Sequence, residues 1–399
     1  MLLNFTHRHL NGLSWVRFGL ALYLIFFHTI HNYKDMPDWL IASASAGYIS
    51  TSMFFILSGY VLTHVYYDQE GVLRIPRKQF LFARFYTLYP LHLVGFFLAA
   101  FIMYGQYLLS GNVIAVADIP PALSTANQDS VLIFLHGPEI ALNALLHLFL
   151  LHAWNPLYLT FNIPSWSISA LMFFYVAFVF FGKYIPRIRY PLLTLALLNF
   201  IYLLPPLYFI LTSNYGSVAT GLLHTNPLMR LPEFLSGVVL CVCLRSTGET
   251  KVKFSVFLGS FLLALLGMIG LAVAALQVQN VGYNLVHNGI LLPLQLVLIG
   301  LFAGVRDVRI EWLSKLIARL GNATLSIFVL HLPLFYLLTH IEKLVSILFS
   351  NPSFSAIGVQ MKHTDLSIAF YPLNVVLVIA ISVVVQEQFV LKIRKWLQM

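Results

Sequence analysis

Apolar residues run along this chain in long blocks with short polar breaks between them. Eleven blocks stand out, at about 13–33, 47–67, 79–105, 139–153, 165–182, 188–211, 227–244, 254–277, 285–305, 323–349 and 367–391. A backbone crossing the ~30 Å hydrocarbon layer has no water to bond, so it closes its own hydrogen bonds in a helix of roughly 20 apolar residues. Ten blocks reach that length. The block at 139–153 is too short and is predicted to form a helix that does not cross. The pattern therefore predicts an all-α, polytopic membrane protein of about ten transmembrane helices, with a short non-spanning helix in an outer loop.

Composition and charge narrow this further. The 399 residues are 59% hydrophobic and only 9% charged, too little polar surface to coat a water-soluble globule. The 23 Lys and Arg outnumber the 14 Asp and Glu, but they gather in the breaks rather than in a basic stripe. That argues for membrane topology and against a nucleic-acid partner. If 139–153 does not span, the cluster Arg74, Arg77 and Lys78 shares one side with Lys183, Arg187 and Arg189, with Arg245, Lys251 and Lys253, with Arg306, Arg309, Lys315 and Arg319, with Lys392, Arg394 and Lys395, and with Arg8. The positive-inside rule makes that side cytoplasmic and puts both termini there. Were 139–153 to span, every later basic cluster would cross to the other face. The stretch from 106 to 164 is then the long outer region, with Asp118, Asp129 and Glu139 but no Lys or Arg. Cys241 and Cys243 lie within an apolar block and read as packed hydrophobes rather than a disulfide or metal site. The opening block contains Arg17 and His28 and lacks a cleavage pattern, so it reads as a retained first membrane helix. Residues 1–399 are read as a single domain with no fused soluble domain.

Ionisable side chains inside membrane helices are costly and mark candidate function. Arg17 and His28 are 11 residues apart, which on a helix brings them within ~20° of one face and separates them by roughly 16 Å. One wall would then carry a guanidinium near the cytoplasm and an imidazole deep in the membrane. A long anionic donor such as an acyl-coenzyme A can set its phosphates by Arg17 while its thioester reaches His28, and imidazole titrates close to neutral pH as a general base requires. The plainer alternative is that Arg17 snorkels to headgroups and His28 bonds a carbonyl in the core. Arg84, one and a half turns into the third span, is open to the same two readings. Arg230 and Glu233 are helical neighbours able to close an ion pair. His331 precedes Pro333, which frees a backbone carbonyl for a polar side chain; His331 either packs there or lines the cavity of His28. Neither the pair His28 and His31 nor the pair His147 and His152 has convergent carboxylates, and no metal site is expected. No Gly-rich phosphate loop and no Gly-x-Ser-x-Gly elbow occurs.

Six segments together are similar to the acyltransferase-3 family of bacterial membrane acyltransferases. Arg17 and His28 match its Arg-x10-His motif; Phe54 to Tyr60 resembles its Phe-Phe-x-Leu-Ser-Gly-Phe segment, and Arg84 to Pro90 its Arg-x-x-Arg-Ile-x-Pro segment. Pro164 to Ser169 looks like Ser-Trp-Ser-Leu-Ser, Arg230 to Gly237 like Arg-x-x-Glu-Phe-x-x-Gly, and His331 to Pro333 like a late His-x-Pro. The resemblance covers nearly the whole chain. It implies transfer of an acyl group, usually acetyl, from acyl-CoA (acetyl-CoA) as co-substrate to a hydroxyl of a carbohydrate or glycolipid, in a bacterial inner membrane, with no bound cofactor. It makes His28 the catalytic base, Arg17 and Arg84 donor-binding or positioning residues, and Ser165, Trp166, Arg230, Glu233 and His331 supports of the site. Three positions depart from the pattern: Leu171 where the family usually has a glutamate, Thr87 where it has a second arginine, and Ser52 where an aspartate often precedes the two phenylalanines. A transporter or lipid-linked sugar flippase shares the helix count and buried charges, and a catalytically silent relative would explain Leu171; both remain alternatives.

Overall fold

A computed structural model describes residues 11–68, 70–120, 130–246, 254–305, 310–349 and 357–397. Among the described residues, ten helical segments are long and apolar enough to cross a membrane, and each coincides with one of the ten predicted blocks. The protein is an all-α polytopic membrane protein. Arg8, Lys251, Lys253, Arg306 and Arg309, used above for topology, lie outside the described residues.

The first span is α1 (Asn11–Thr29), and the second is broken into α2 (Asp38–Ala44) and α3 (Tyr48–Tyr66). Arg74 lies in the turn to α4 (Arg77–Ser110), which starts after Pro76 and stops at Gly111, whose left-handed φ of +73° lets its N–H reach the Tyr107 carbonyl at 2.7 Å. At about 50 Å, 34 residues overrun the hydrocarbon layer and project beyond it. There the chain forms β1 (Val113–Asp118) and β2 (Ser130–Leu135), an antiparallel pair with Val113 opposite Leu135 and Asp118 opposite Ser130. This small sheet was not predicted. The non-spanning helix follows as α5 (Gly137–Leu148), 12 residues long and begun by a capping box in which the His136 N–H donates to Glu139 at 2.9 Å.

The chain re-enters at Ile163 with α6 (Trp166–Phe181) and crosses again with α7 (Pro191–Leu211). The next crossing joins α8 (Ser217–Thr225) to α9 (Pro227–Ser246), with α10 (Phe254–Leu276) after it. A further broken crossing consists of α11 (Gln279–His287) and α12 (Leu292–Ala303). The longest helix, α13 (Glu311–Phe349), precedes α14 (Ile357–His363), α15 (Tyr371–Val385), a π-helical turn over Gln386–Val390, and α16 (Leu391–Leu397). Leu192 and Leu193 of α7 and Leu263 and Leu266 of α10 are exposed, an apolar outer surface suited to lipid rather than water.

Backbones meet most closely where α3 crosses α9. A Cβ on Gly59 would stand 2.0 Å from the Phe234 carbonyl oxygen, and one on Gly237 would stand 1.9 Å from that of Ile56. Hydrogen side chains at both positions are what let these helices touch, the usual way membrane helices gain packing without a hydrophobic drive between them. Around this crossing Phe55, Phe174, Phe178 and Phe234 are fully buried and join α3, α6 and α9 into one core. The tight pairing leaves a large space on its other side, bounded by α1, α8, α11 and α12.

Candidate functional site

That space is a cavity of about 4140 Å³. Its wall includes Trp15, His64 and Arg245 at the end of the bundle that carries the basic loops, and Asp118, Leu159 and His224 at the end that carries the β-hairpin, so it runs the length of the molecule. His28, in the last turn of α1, lies on this wall. Its ring sits 4.8 Å from that of Phe27 and 5.3 Å from that of His331, which comes from the middle of α13.

His331 is held by the break that Pro333 makes. Its Nδ1 donates to the Phe328 carbonyl at 2.7 Å, which leaves Nε2 as an unprotonated, buried acceptor with no partner. The carbonyl that Pro333 itself frees belongs to Val329, four residues earlier, and it is taken by the Asn162 side-chain amide at 2.8 Å. His331 therefore packs within the site beside His28, and Asn162, which the sequence reading did not single out, mends the helix.

Arg17 takes a different direction. Leu13, Arg17, Ala21, Leu24 and His28 form one stripe of α1, as their spacing requires, but Arg17 does not border the cavity. It belongs to a polar cluster toward the basic end, where the Tyr175 hydroxyl lies within electrostatic reach of Arg17, Arg84 and Tyr66. Arg84 donates to the Tyr66 hydroxyl and its guanidinium lies 5.0 Å from the Tyr66 ring. Among the described residues no carboxylate pairs with Arg17 or Arg84. Arg245, by contrast, does line the cavity, but its guanidinium is spent on the carbonyls of Thr63, His64, Tyr67 and Asp68 that end α3.

Arg230 and Glu233 form the expected ion pair, 3.0 Å between Nε and Oε2 at an angle too bent for a hydrogen bond, with both side chains almost fully buried. Arg230 donates to Ser52 at 2.9 Å and to the His287 carbonyl at 3.0 Å, and Tyr202 donates to Glu233 at 2.8 Å. Phe55, Trp166 and Tyr202 each present a ring 5.9 Å from the guanidinium carbon. The pair ties α3, α7, α9 and α11 together and does not itself border the cavity.

Trp166 does border it, placed by the turn that begins α6. Ser165 fixes that turn: its hydroxyl donates to the Asn162 carbonyl at 2.6 Å and its carbonyl is bonded by His152 at 2.9 Å. His152 in turn stacks on His147, with ring centroids 3.9 Å apart, and on His92 at 5.2 Å. Burial holds His147, outside the spans, down to about 3, and His152 is driven well below the usual imidazole range by burial and then by its two neighbours. Leu171 is buried in the core and Thr87 bonds the Ala83 carbonyl of its own helix, so neither departure leaves a stranded charge.

One further pair was not legible from the sequence. His224 of α8 donates from Nδ1 to Asp118 of β1 at 2.8 Å, and both side chains border the cavity. The Trp166 ring stands 4.8 Å from that of His224. Asp118 is the one carboxylate among the described residues of the cavity wall.

The comparisons with known proteins fit this geometry. The acyltransferase-3 family model, described as an acyltransferase domain, matches residues 10–387. The chain is also similar to the acyltransferase MdmB of Streptomyces mycarofaciens, 24% identical over 341 residues that cover 81% of this chain and 77% of that protein. No solved structure matches. Ten membrane-length helices among the described residues and a family match over nearly the entire length lead to one assignment: the chain belongs to the acyltransferase-3 family and is a membrane acyltransferase.

Proposed function

We propose that this acyltransferase moves an acyl group, most simply acetyl, from acyl-CoA at the basic, cytoplasmic end of the cavity to a hydroxyl of a carbohydrate or glycolipid entering from the hairpin end. The observation that carries the reading is the position of His28, on the wall of a 4140 Å³ cavity that extends between the two ends of the bundle. The unprotonated ring nitrogen of His28 takes the acceptor's hydroxyl proton as that oxygen bonds the acyl carbon. The C–S bond then breaks, and the departing thiolate takes the proton from the imidazolium. His331, whose ring stands 5.3 Å from that of His28, packs beside the base and helps hold its ring in place.

Arg17 and Arg84, neither of which borders the cavity, act as positioning residues behind its basic end, where positive charge without a carboxylate to cancel it suits the phosphates of the donor's nucleotide end. Ser165 and Trp166 shape the wall, and Arg230 with Glu233 holds the helices that frame it. The setting is a bacterial inner membrane, as the family resemblance implies, with both termini cytoplasmic, as the basic loops predict. The test is transfer of radiolabelled acetyl from acetyl-CoA by membranes containing the protein. His28→Ala abolishes transfer at unchanged protein level, and Arg17→Ala and Arg84→Ala raise KM for the donor. Transfer retained by His28→Ala removes the base and with it this mechanism.

A further inference from the structure

Within the acyl-transfer reading just given, on which this inference rests, we propose that Asp118 and His224 form the acceptor subsite. There His224 accepts a hydrogen bond from a second hydroxyl of a polyol, adjacent to the hydroxyl that is acylated. The pair stands at the hairpin end of the cavity, on its wall. Because Nδ1–H donates to Asp118 at 2.8 Å, the tautomer is set and Nε2 is left as an acceptor. His224 is also among the groups that bear electrostatically on His28, so the two imidazoles face a common region.

The surroundings suit a ring bearing several hydroxyls. The edge-on ring of Trp166 flanks His224. On the same wall the His287 ring lies between those of Tyr48 and Tyr283, at 3.9 and 4.1 Å and tilted to each, an aromatic patch against which the C–H groups of a sugar ring can pack. An acceptor with one hydroxyl engages His28 alone and leaves Nε2 of His224 without a donor, whereas a vicinal diol serves both. A site built to bond a hydroxyl discriminates against the analogue that lacks it. The subsite also supplies a carboxylate to a cavity whose family position at 171 has none.

The experiment compares trans-1,2-cyclohexanediol with cyclohexanol, which differ by one hydroxyl, on the purified full-length protein in detergent micelles. Binding is read as tryptophan fluorescence quenching, with Trp166→Phe as the control for the signal, and turnover as coenzyme A release from acetyl-CoA. Wild type is expected to bind the diol about tenfold more tightly than the alcohol, the effect of roughly one hydrogen bond. His224→Phe abolishes that preference and leaves the alcohol unchanged. Asp118→Leu does the same, and it answers the question if the phenylalanine variant does not fold. Asp118→Asn, whose amide oxygen still accepts from Nδ1–H, keeps the preference. Equal binding of the two probes by wild type, a preference that survives both His224→Phe and Asp118→Leu, or equal weakening of both probes overturns the subsite. A wild type that prefers the diol in binding but releases no coenzyme A upholds the subsite and sinks the acyl-transfer reading instead.

Discussion

Glutamine in place of Glu233 isolates the contribution of the buried ion pair, because it keeps the side-chain shape and removes one charge. Glu233 and Arg230 are 1% and 3% exposed, so water cannot screen what is left behind. In the variant the guanidinium keeps Ser52 and the His287 carbonyl, and Tyr202 can still donate to the amide oxygen. What disappears is the negative charge that compensates Arg230. Removing one partner of a buried pair costs about 3–5 kcal/mol, and the surviving hydrogen bonds and ring faces place this site near the lower end, about 3 kcal/mol. SDS titration in mixed micelles, followed by tryptophan fluorescence, measures it. The double variant R230M/E233L takes out both charges and fills the space with apolar atoms against Phe55, Trp166 and Tyr202, so it should regain most of the loss. An E233Q protein within about 1 kcal/mol of wild type, or a double variant less stable than the single, refutes the account of a guanidinium dependent on its carboxylate.

The crossing of α3 and α9 makes a second prediction: G237A must displace the Ile56 carbonyl, 1.9 Å from the new Cβ, and is expected to lower the melting midpoint in detergent and the yield in membranes, whereas G259A, with open space around its position, changes neither. Asn162→Leu strands the Val329 carbonyl freed by Pro333 and should cost about 1–3 kcal/mol in the same SDS titration, with no loss when Pro333→Ala restores the helical N–H alongside it. His147 yields a pH prediction: its pKa is held at about 3 in the fold against about 6.5 unfolded, so its contribution is intact above pH 6.5 and falls by about 1.4 kcal/mol per unit below that, reaching about 2 kcal/mol by pH 5. Thermal melts between pH 7 and pH 4 should show the decline, and His147→Phe should lessen it while leaving the share of His152, which burial depresses as well.

Spans were legible because their constraint is local. Each must close its own hydrogen bonds and be apolar for about 20 residues, whatever its neighbours do. The same holds for α5, where length and the Glu139 cap are written in a dozen consecutive residues. The hairpin is different. Val113 to Asp118 and Ser130 to Leu135 are six residues each, five of them apolar, without the alternation of a half-buried strand and with a connection far longer than a hairpin turn, so only their pairing identifies them. Helical periodicity correctly placed Arg17 and His28 on one stripe. It could not say which side chain opens on the cavity, because that depends on α6 bringing Tyr175 against Arg17 and on α13 bringing His331 against His28. Pro333 announced a free carbonyl, but its donor comes from 167 residues earlier in the chain. Asp118 and His224 are 106 residues apart on elements whose contact has no sequence signal.

The three departures from the family pattern acquire a physical meaning once charges are followed through the structure. An aspartate at 52 would bring a second carboxylate to Arg230, whose Nη2 lies 2.9 Å from the Ser52 hydroxyl; with serine the buried network closes at zero net charge around a single guanidinium and a single carboxylate. Leucine at 171 and threonine at 87 take away one acid and one base, again with no net charge left inside the membrane, and both positions are filled by packing or by a hydrogen bond within the helix. Against that background Arg17 and Arg84, two arginines that remain within spans, are informative, since each survives the cost of its place in the bilayer. Arg17 and Arg84 persist without a carboxylate toward the basic end, and Asp118 persists with His224 at the hairpin end. On the proposed reading an anionic donor and a hydroxylic acceptor would enter at opposite ends of the protein, and His28, which borders the space between them, would be the group on which the two approaches converge.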